Sequence, residues 1–298
     1  MGQKKTFLNN LWKKNYSINK IFFEDINKKK FLKYLKKQKY IDYNLINKNF
    51  SLIYDKKFPI AFLLKNKKKI VGFLGTLFSI RKINKKKFIF CNIHSWLVDV
   101  PHRIAADLLF KDILNKCIIT VLSARKGLSK TFNNMGFKKV KMNYRVTFLL
   151  NPTNLFYKKK TGIYSDISLI KNCLDKNNLE IFKKHSHKNF TKLIIYNLKN
   201  KSEFSFLIAK IVKKKKLFRV INIIYLTNSS FIKKNLSSMY INMFYKFNIL
   251  FCGQHFLKEE ECILQNSFFS QNSSKDIYLK NFPKRIRFNT LFSEFDAN

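Results

Sequence analysis

The stretch Asn92–Phe110, NIHSWLVDVPHRIAADLLF, constrains the chain more than any other. From Phe88 to Val98 it is apolar enough for a buried strand. Beyond Arg103, residues Ile104, Leu108, Leu109 and Leu114 fall on one side of a helix predicted over 104–115. Between strand and helix lies a short joint, Asp99-Val100-Pro101-His102-Arg103. Proline is tolerated there, because the first helical N–H has no partner to lose. A strand that runs straight into a helix aims unpaired backbone N–H groups at one point, with the helix dipole behind them. Such a joint is an anion site in waiting.

The residues of the joint carry a resemblance. VDVPHRIAADLL resembles the acyl-CoA-binding joint of the GCN5-related N-acetyltransferases (GNATs), whose pattern is roughly V-x-P-x-[YF]-[RQ]-x-x-G-x-[GA]. Aligned on Arg103, Val98 takes the place of the family's strand-end valine and Ala106 that of its first glycine. Pro101 sits one place late, Leu108 replaces the second small residue, and Asp107 adds a negative charge. The form SW-x-V-x-x-x-x-R is similar to a GNAT branch associated with surface-polysaccharide gene clusters, and the tail LFSEFDAN resembles the tails of that branch. A second segment, SARKGLSKTFNNMGFKKV, resembles the family's T-x-N-x-x-[AS]-x-x-[LF]-Y-x-x-x-G-F, with Gly136-Phe137 as the closing pair.

Element order agrees with that family. One or two helices are predicted over 17–37, with Ser17 as cap. Strands follow at Phe50–Tyr54, Ile60–Leu64, Ile70–Ile80 and Phe88–Val98, the last three forming an antiparallel meander. After Arg103 helix and strand alternate: helix 104–115, strand Cys117–Ser123, helix Gly127–Asn134, strand Phe137–Leu150. The crossover makes the 88–98 and 117–123 strands parallel neighbours. In the family these two splay apart, and the pantetheine arm lies in the gap. Residues 152–190 are polar and poorly periodic, which places a boundary there and divides the chain into lobes 1–152 and 153–298. The second lobe carries strands Phe204–Val212 and Leu217–Leu226, a helix from Asn228 with Ile232, Leu236, Met239, Tyr240, Met243 and Phe247 inward, and strand Ile249–Phe256. The fold class is thus α/β (α+β): two tandem GNAT-like lobes, each a mixed sheet flanked by helices. The first binds acyl-CoA, and the second, lacking any counterpart of Arg103, is degenerate.

Composition narrows the partners. With 60 Lys and Arg against 17 Asp and Glu the net charge is +43, yet Lys, Asn, Ile and Phe are overused together, as mutational drift produces. KNKKK (65–69), NKKK (84–87) and KKKK (213–216) each fall between strand-like runs, where turns hold them in water. A nucleic-acid binder gathers its cations on one face among aromatics, so nucleic acid is not the expected partner. Apolar residues at 46% exclude a disordered chain. No apolar run reaches the roughly 18 residues of a membrane helix. The N-terminus MGQKKTFLNN lacks an apolar signal core and fits only the loose M-G-x-x-x-[ST] acylation pattern. Five scattered cysteines without C-x-x-C read as buried thiols of a cytoplasmic protein, and five histidines without H-E-x-x-H give no metal site.

The resemblance implies acyl transfer from acetyl-CoA or another acyl-CoA to a small acceptor such as an amino sugar. It assigns carbonyl polarisation to the Val98 N–H. Pyrophosphate binding falls to the backbone of Arg103, Ile104, Ala105, Ala106, Asp107 and Leu108. Phe132 stands where the family's tyrosine acid belongs. That leaves His94, on the Trp96 and Val98 face of its strand by alternation, Asp99 and Ser123 as candidates for proton transfer and substrate contact. The alternatives are a GNAT-like scaffold without catalysis and a basic module on nucleic acid or an anionic membrane surface.

Overall fold

A computed structural model of the protein describes residues 15–27, 29–38, 42–52, 54–83, 86–125, 127–150, 159–186, 190–214, 218–260, 262–264, 270–283, 290, 291 and 293. The MGQKKT segment, Pro152 and most of the LFSEFDAN tail lie outside them. By its contacts the chain divides into two units. One is Met1–Val140 with Asp276–Ile286 and Phe292–Asn298; the other is Lys141–Lys275 with Arg287–Leu291.

In the first unit, β1 (Tyr16–Ile21), β2 (Ala61–Asn66), β3 (Lys69–Ile83) and β4 (Lys86–Val98) pair antiparallel in sequence order. Next comes β5 (Ile118–Val121), parallel to β4, and then the strand Ser270–Lys280, antiparallel to β5 at Tyr278–Lys280. The 65–69 lysines turn between β2 and β3, where Lys67 takes a φ of 51° and the cations stay exposed. Two helices, α1 (Lys29–Lys36) and α2 (Tyr43–Ser51), bury Phe31 and Leu35, and Ile46 and Phe50, against Leu63 and Phe73. Each pair is spaced i, i+4, which stacks both side chains on one face. The Asp42 carboxylate caps α2 by accepting the Leu45 N–H at 3.1 Å. A 3₁₀-helix, Val100–Phe110, and α3 (Ser129–Asn134) cover the other cluster, which holds Leu74, Ile93, Leu109, Phe110 and Phe132. Gly136, at φ 75°, ends α3 in the left-handed region, the role expected of it.

Three expectations fail here. Residues 16–21 form a strand on β2, not the start of a helix; the spacing of Ile18 and its apolar neighbours suits both periods. The apolar run near Phe50 ends a helix instead of forming a strand, because the Asp42 cap starts that helix earlier. The segment after Asp99 winds as a 3₁₀-helix over Val100–Phe110, in which Ala105, Leu109 and Phe110 are buried while Ile104 is 65% exposed.

The second unit repeats the plan. It contains β6 (Lys138–Phe148), β7 (Thr161–Tyr164), α4 (Ile167–Cys173), α5 (Lys176–Lys184), β8 (Thr191–Asn197), β9 (Phe204–Lys214), β10 (Phe218–Leu226), α6 (Ser229–Lys234), α7 (Leu236–Phe247) and β11 (Phe251–Leu257). Strand order is β6-β11-β10-β9-β8-β7, with only β10 and β11 parallel among these pairs. Its core joins Leu207, Ile221, Met239, Tyr240, Met243 and Cys252. The stretch read as featureless holds α4 and α5, whose caps Asp166 and Asp175 accept helix N–H groups at 2.8–3.0 Å. In both units a strand is followed by two helices, three antiparallel strands, a helical segment and a parallel strand. The fold is therefore α/β with tandem lobes of mixed sheet and flanking helices.

Among the described residues no helix is long and apolar enough to cross a membrane, and no three His, Cys, Asp or Glu could hold a metal ion. All five cysteines are free thiols, four of them buried.

Candidate active site

The site begins with a break in register. Along β3 and β4 the pairing passes from Gly75↔Ser95 to Thr76↔Ile93, so His94 is an extra residue without a partner. A bulge of this kind bends the strand and re-aims its side chains. On the other edge, β4 and β5 pair at Phe90↔Ile118, Cys91↔Ile119 and Asn92↔Thr120. The buried Asn92 amide fastens that last pair by donating to Thr120 O at 3.3 Å and Oγ1 at 3.0 Å. Beyond it lies a cleft of about 310 Å³, lined by Ile93–Leu97 of β4, by Val121, Ser123, Ala124 and Arg125, by Asp42, Leu45 and Ile46 of α2, and by Leu128 and Phe132 of α3.

The bulge overturns the alternation that placed His94 beside Trp96 and Val98. The imidazole meets the edge of Phe50 on α2, with centroids 5.6 Å apart, and lies over Gly75. A Cβ on Gly75 would stand 2.5 Å from His94 Cε1. Trp96 packs instead with Phe110 and Phe132, at 4.9 and 5.6 Å. His94 Nδ1 lies 3.0 Å from Ser95 Oγ, while among the described residues neither the buried Nε2 nor the buried Trp96 Nε1 has a hydrogen-bond partner. Burial pushes the His94 pKa down to about 3, which keeps the ring neutral. His94 Nε2 and Trp96 Nε1 are both closed off from solvent, and His94 Nε2 packs over Gly75, so they are costs of the packing around the cleft and not groups that open into it.

Asp99 sits at the end of β4 but does not cap the following helix with its side chain. Its carboxylate accepts the Tyr34 hydroxyl of α1 at 3.1 Å. Burial first, and Asp99 second, push the Tyr34 hydroxyl far above its ordinary pKa. Asp99 does not line the cleft; Ser123 does, and it is exposed.

At the joint, Val98 is buried and pairs with Gly72. The Asp99 N–H donates to Val71 O and the His102 N–H to Asp99 O, both at 2.8 Å. Pro101 has no N–H. In a 3₁₀-helix each later N–H bonds the carbonyl three residues back, so the donors of Arg103, Ile104, Ala105, Ala106, Asp107 and Leu108 lie within the helix. The cradle expected from the backbone is reduced to the Val100 N–H, and the Arg103 side chain is exposed beside it. His102 Nδ1, 2.9 Å from Tyr16 OH and 3.4 Å from Asn66 Nδ2, ties the joint to β1 and β2.

Phe132, in the tyrosine's place, is buried between Trp96 and Tyr278, with the Tyr278 ring stacked 4.6 Å away. Sequence reasoning missed Asp42, Leu45, Ile46 and Arg125 at the cleft. The first three had a legible signal, an Asp followed three residues later by an apolar i, i+4 pattern. The second unit bulges at the matching place: β9 and β10 shift register at Ile224, and β10–β11 pairing ends at Ile223↔Gln254. Apolar Ile224 stands there in place of His94. Gln254 Oε1 accepts the Ile263 N–H at 3.2 Å, and the Cys262–Leu264 segment is buried in that unit's core.

A bulged strand that parts from its parallel neighbour, with the chain turning into a helix just beyond, defines the GNAT fold, and this chain has it. Solved structures similar to it are a GCN5-related N-acetyltransferase from Anabaena variabilis (12% identity, TM-score 0.58, covering 89% of this chain and 72% of that one), a probable N-acyltransferase from Enterococcus faecalis (11%, 0.55, 89% and 71%), and a GCN5-related N-acetyltransferase from Kribbella flavida (8%, 0.52, 89% and 71%). At such identities the likeness is one of fold. No protein-family model matches the sequence, and no curated protein matches it either.

Proposed function

We propose that the chain transfers an acyl group from acyl-CoA to the amine of a small acceptor in the cleft between β4 and β5. The observation that carries this reading is the cleft itself, which opens at the His94 bulge where β4 parts from β5. Bound acyl-CoA supplies an activated thioester; the chain must polarise its carbonyl, receive the amine's proton and supply one to the departing thiolate. Polarisation is assigned to the Val98 N–H. A ring nitrogen with a pKa near 3 is a poor base at neutral pH, so His94 serves as a neutral hydrogen-bonding group. With the Ser95 hydroxyl donating to Nδ1, the proton rests on Nε2, and the ring, packed over Gly75, holds the bulge that opens the cleft. Ser123 on the cleft and Asp99 at the strand end are the candidates for proton transfer.

The residues fit the thioester end better than the phosphate end. There the Val100 N–H and the Arg103 guanidinium replace the expected backbone cradle, with Asp107 opposing them. The first lobe thus holds the acyl-CoA and the second, with Ile224 for His94, is a degenerate partner. An amino sugar of a surface polysaccharide is the first acceptor to test, on the strength of the joint's resemblance, and a cytoplasmic location suits the free thiols. A second reading, a scaffold without catalysis, is favoured by two observations: the joint winds into a 3₁₀-helix from Val100 onward, and the acid position is Phe132. Thermal melting separates the two. Acetyl-CoA and desulfo-CoA should both raise the melting temperature as RT ln(1 + [L]/Kd) requires. No shift at millimolar ligand would favour the scaffold.

A further inference from the structure

Resting on that reading, we infer that the acyl group this cleft takes is an apolar chain several carbons longer than acetyl. The argument is one of fit between wall chemistry and ligand. Three elements line the cleft with large apolar residues, Leu45 and Ile46 from α2, Ile93 and Trp96 from β4, and Leu128 and Phe132 from α3, while Asp42, Ser123 and Arg125 stand at it as polar groups. Ile46, Ile93 and Phe132 are at most 4% exposed, so they form a fixed wall, not a loose surface. An acetyl group ends within a bond of the thioester carbon and would leave uncovered the apolar surface that half-buried Leu45, Trp96, Leu97 and Leu128 present to the cleft. Covering it with methylenes is favourable in proportion to the apolar area removed from water. Phe132 fits the same scheme: where a tyrosine would bring a hydroxyl needing a partner, its ring continues the apolar wall toward Trp96.

The test is titration calorimetry of the full chain with CoA, acetyl-, butyryl-, hexanoyl- and octanoyl-CoA. Each buried methylene is worth up to about fourfold in Kd. Hexanoyl-CoA should therefore bind at least about tenfold more tightly than acetyl-CoA, even with imperfect burial. Affinity that is flat from acetyl to octanoyl, or best for acetyl, overturns the chain-length inference and leaves acyl-CoA binding standing. Silence from every ligand, CoA included, overturns both. Leu45→Trp and Leu128→Trp, checked for an unchanged fold by melting, narrow the cleft from opposite sides. At least one should abolish the preference for hexanoyl over acetyl. If neither does, the chain does not lie in this cleft and the inference falls.

Discussion

Gly75 and His94 form a pair whose coupling can be measured. Gly75 has no left-handed φ, so alanine meets no backbone strain there. The obstacle is the imidazole: an added Cβ would lie 2.5 Å from Cε1, 2.8 Å from Nε2 and 3.1 Å from Nδ1. The ring cannot retreat freely, since Phe50 meets its other side and Ser95 Oγ holds Nδ1. Overpacking of this kind costs about 1–3 kcal/mol. In a unit of this size each kcal/mol lowers Tm by about 2–4 °C. Gly75→Ala alone should therefore destabilise the protein and, by tilting the ring out of the cleft wall, weaken ligand binding. With His94→Ala already present, the clash has no partner atoms. What remains is the reduced entropy of the unfolded chain, which stabilises by about 0.4–1 kcal/mol. The same substitution should thus change sign between the two backgrounds, a coupling of at least about 1 kcal/mol in a double-mutant cycle followed by urea unfolding. Equal costs in both backgrounds would mean that the bulge does not lay His94 over Gly75, and the site would have to be rebuilt.

Three further outcomes follow from the same contacts. His94 is neutral when folded, with a pKa near 3, and takes up a proton near pH 6.5 when unfolded. Its contribution is complete above that pH and is lost as the pH falls toward 3, amounting to about 2 kcal/mol at pH 5; His94→Phe should flatten the stability profile between pH 7 and 5, and an unchanged profile would refute the burial of the ring. Tyr34→Phe removes the hydroxyl that Asp99 accepts and should cost about 1 kcal/mol in urea unfolding, non-additively with Asp99→Ala; strict additivity would break the assignment. Phe132→Tyr returns a hydroxyl to the cleft wall and should raise the rate of CoA release in a thiol assay several-fold, whereas no gain would place the departing sulfur elsewhere.

What was legible in the sequence was whatever depends on a single segment. β4, the antiparallel meander of β2 to β4, and the Gly136 stop of α3 are all local patterns, and each forms where its residues predict. What was hidden depends on partners. The His94 bulge exists only as a mismatch between β3 and β4, so strand alternation gave the wrong face for the histidine. The strand Tyr16–Ile21 gains its identity from β2, because Ile18 and its neighbours satisfy either period. In the 3₁₀-helix Val100–Phe110, Leu109 and Phe110 lie in the core and Ile104 in water, a choice that packing makes and helical periodicity does not reveal. The polar α4 and α5 announce themselves only through Asp166 and Asp175, one cap each.

The most direct test of the account is a crystal structure with a non-hydrolysable thioether analogue of hexanoyl-CoA. The account predicts the sulfur in the gap that opens beyond the Asn92↔Thr120 pair. The acyl chain should lie against Leu45, Trp96 and Leu128. An analogue bound elsewhere, or β4 and β5 paired without a gap from Ile93 to Val98, would contradict it.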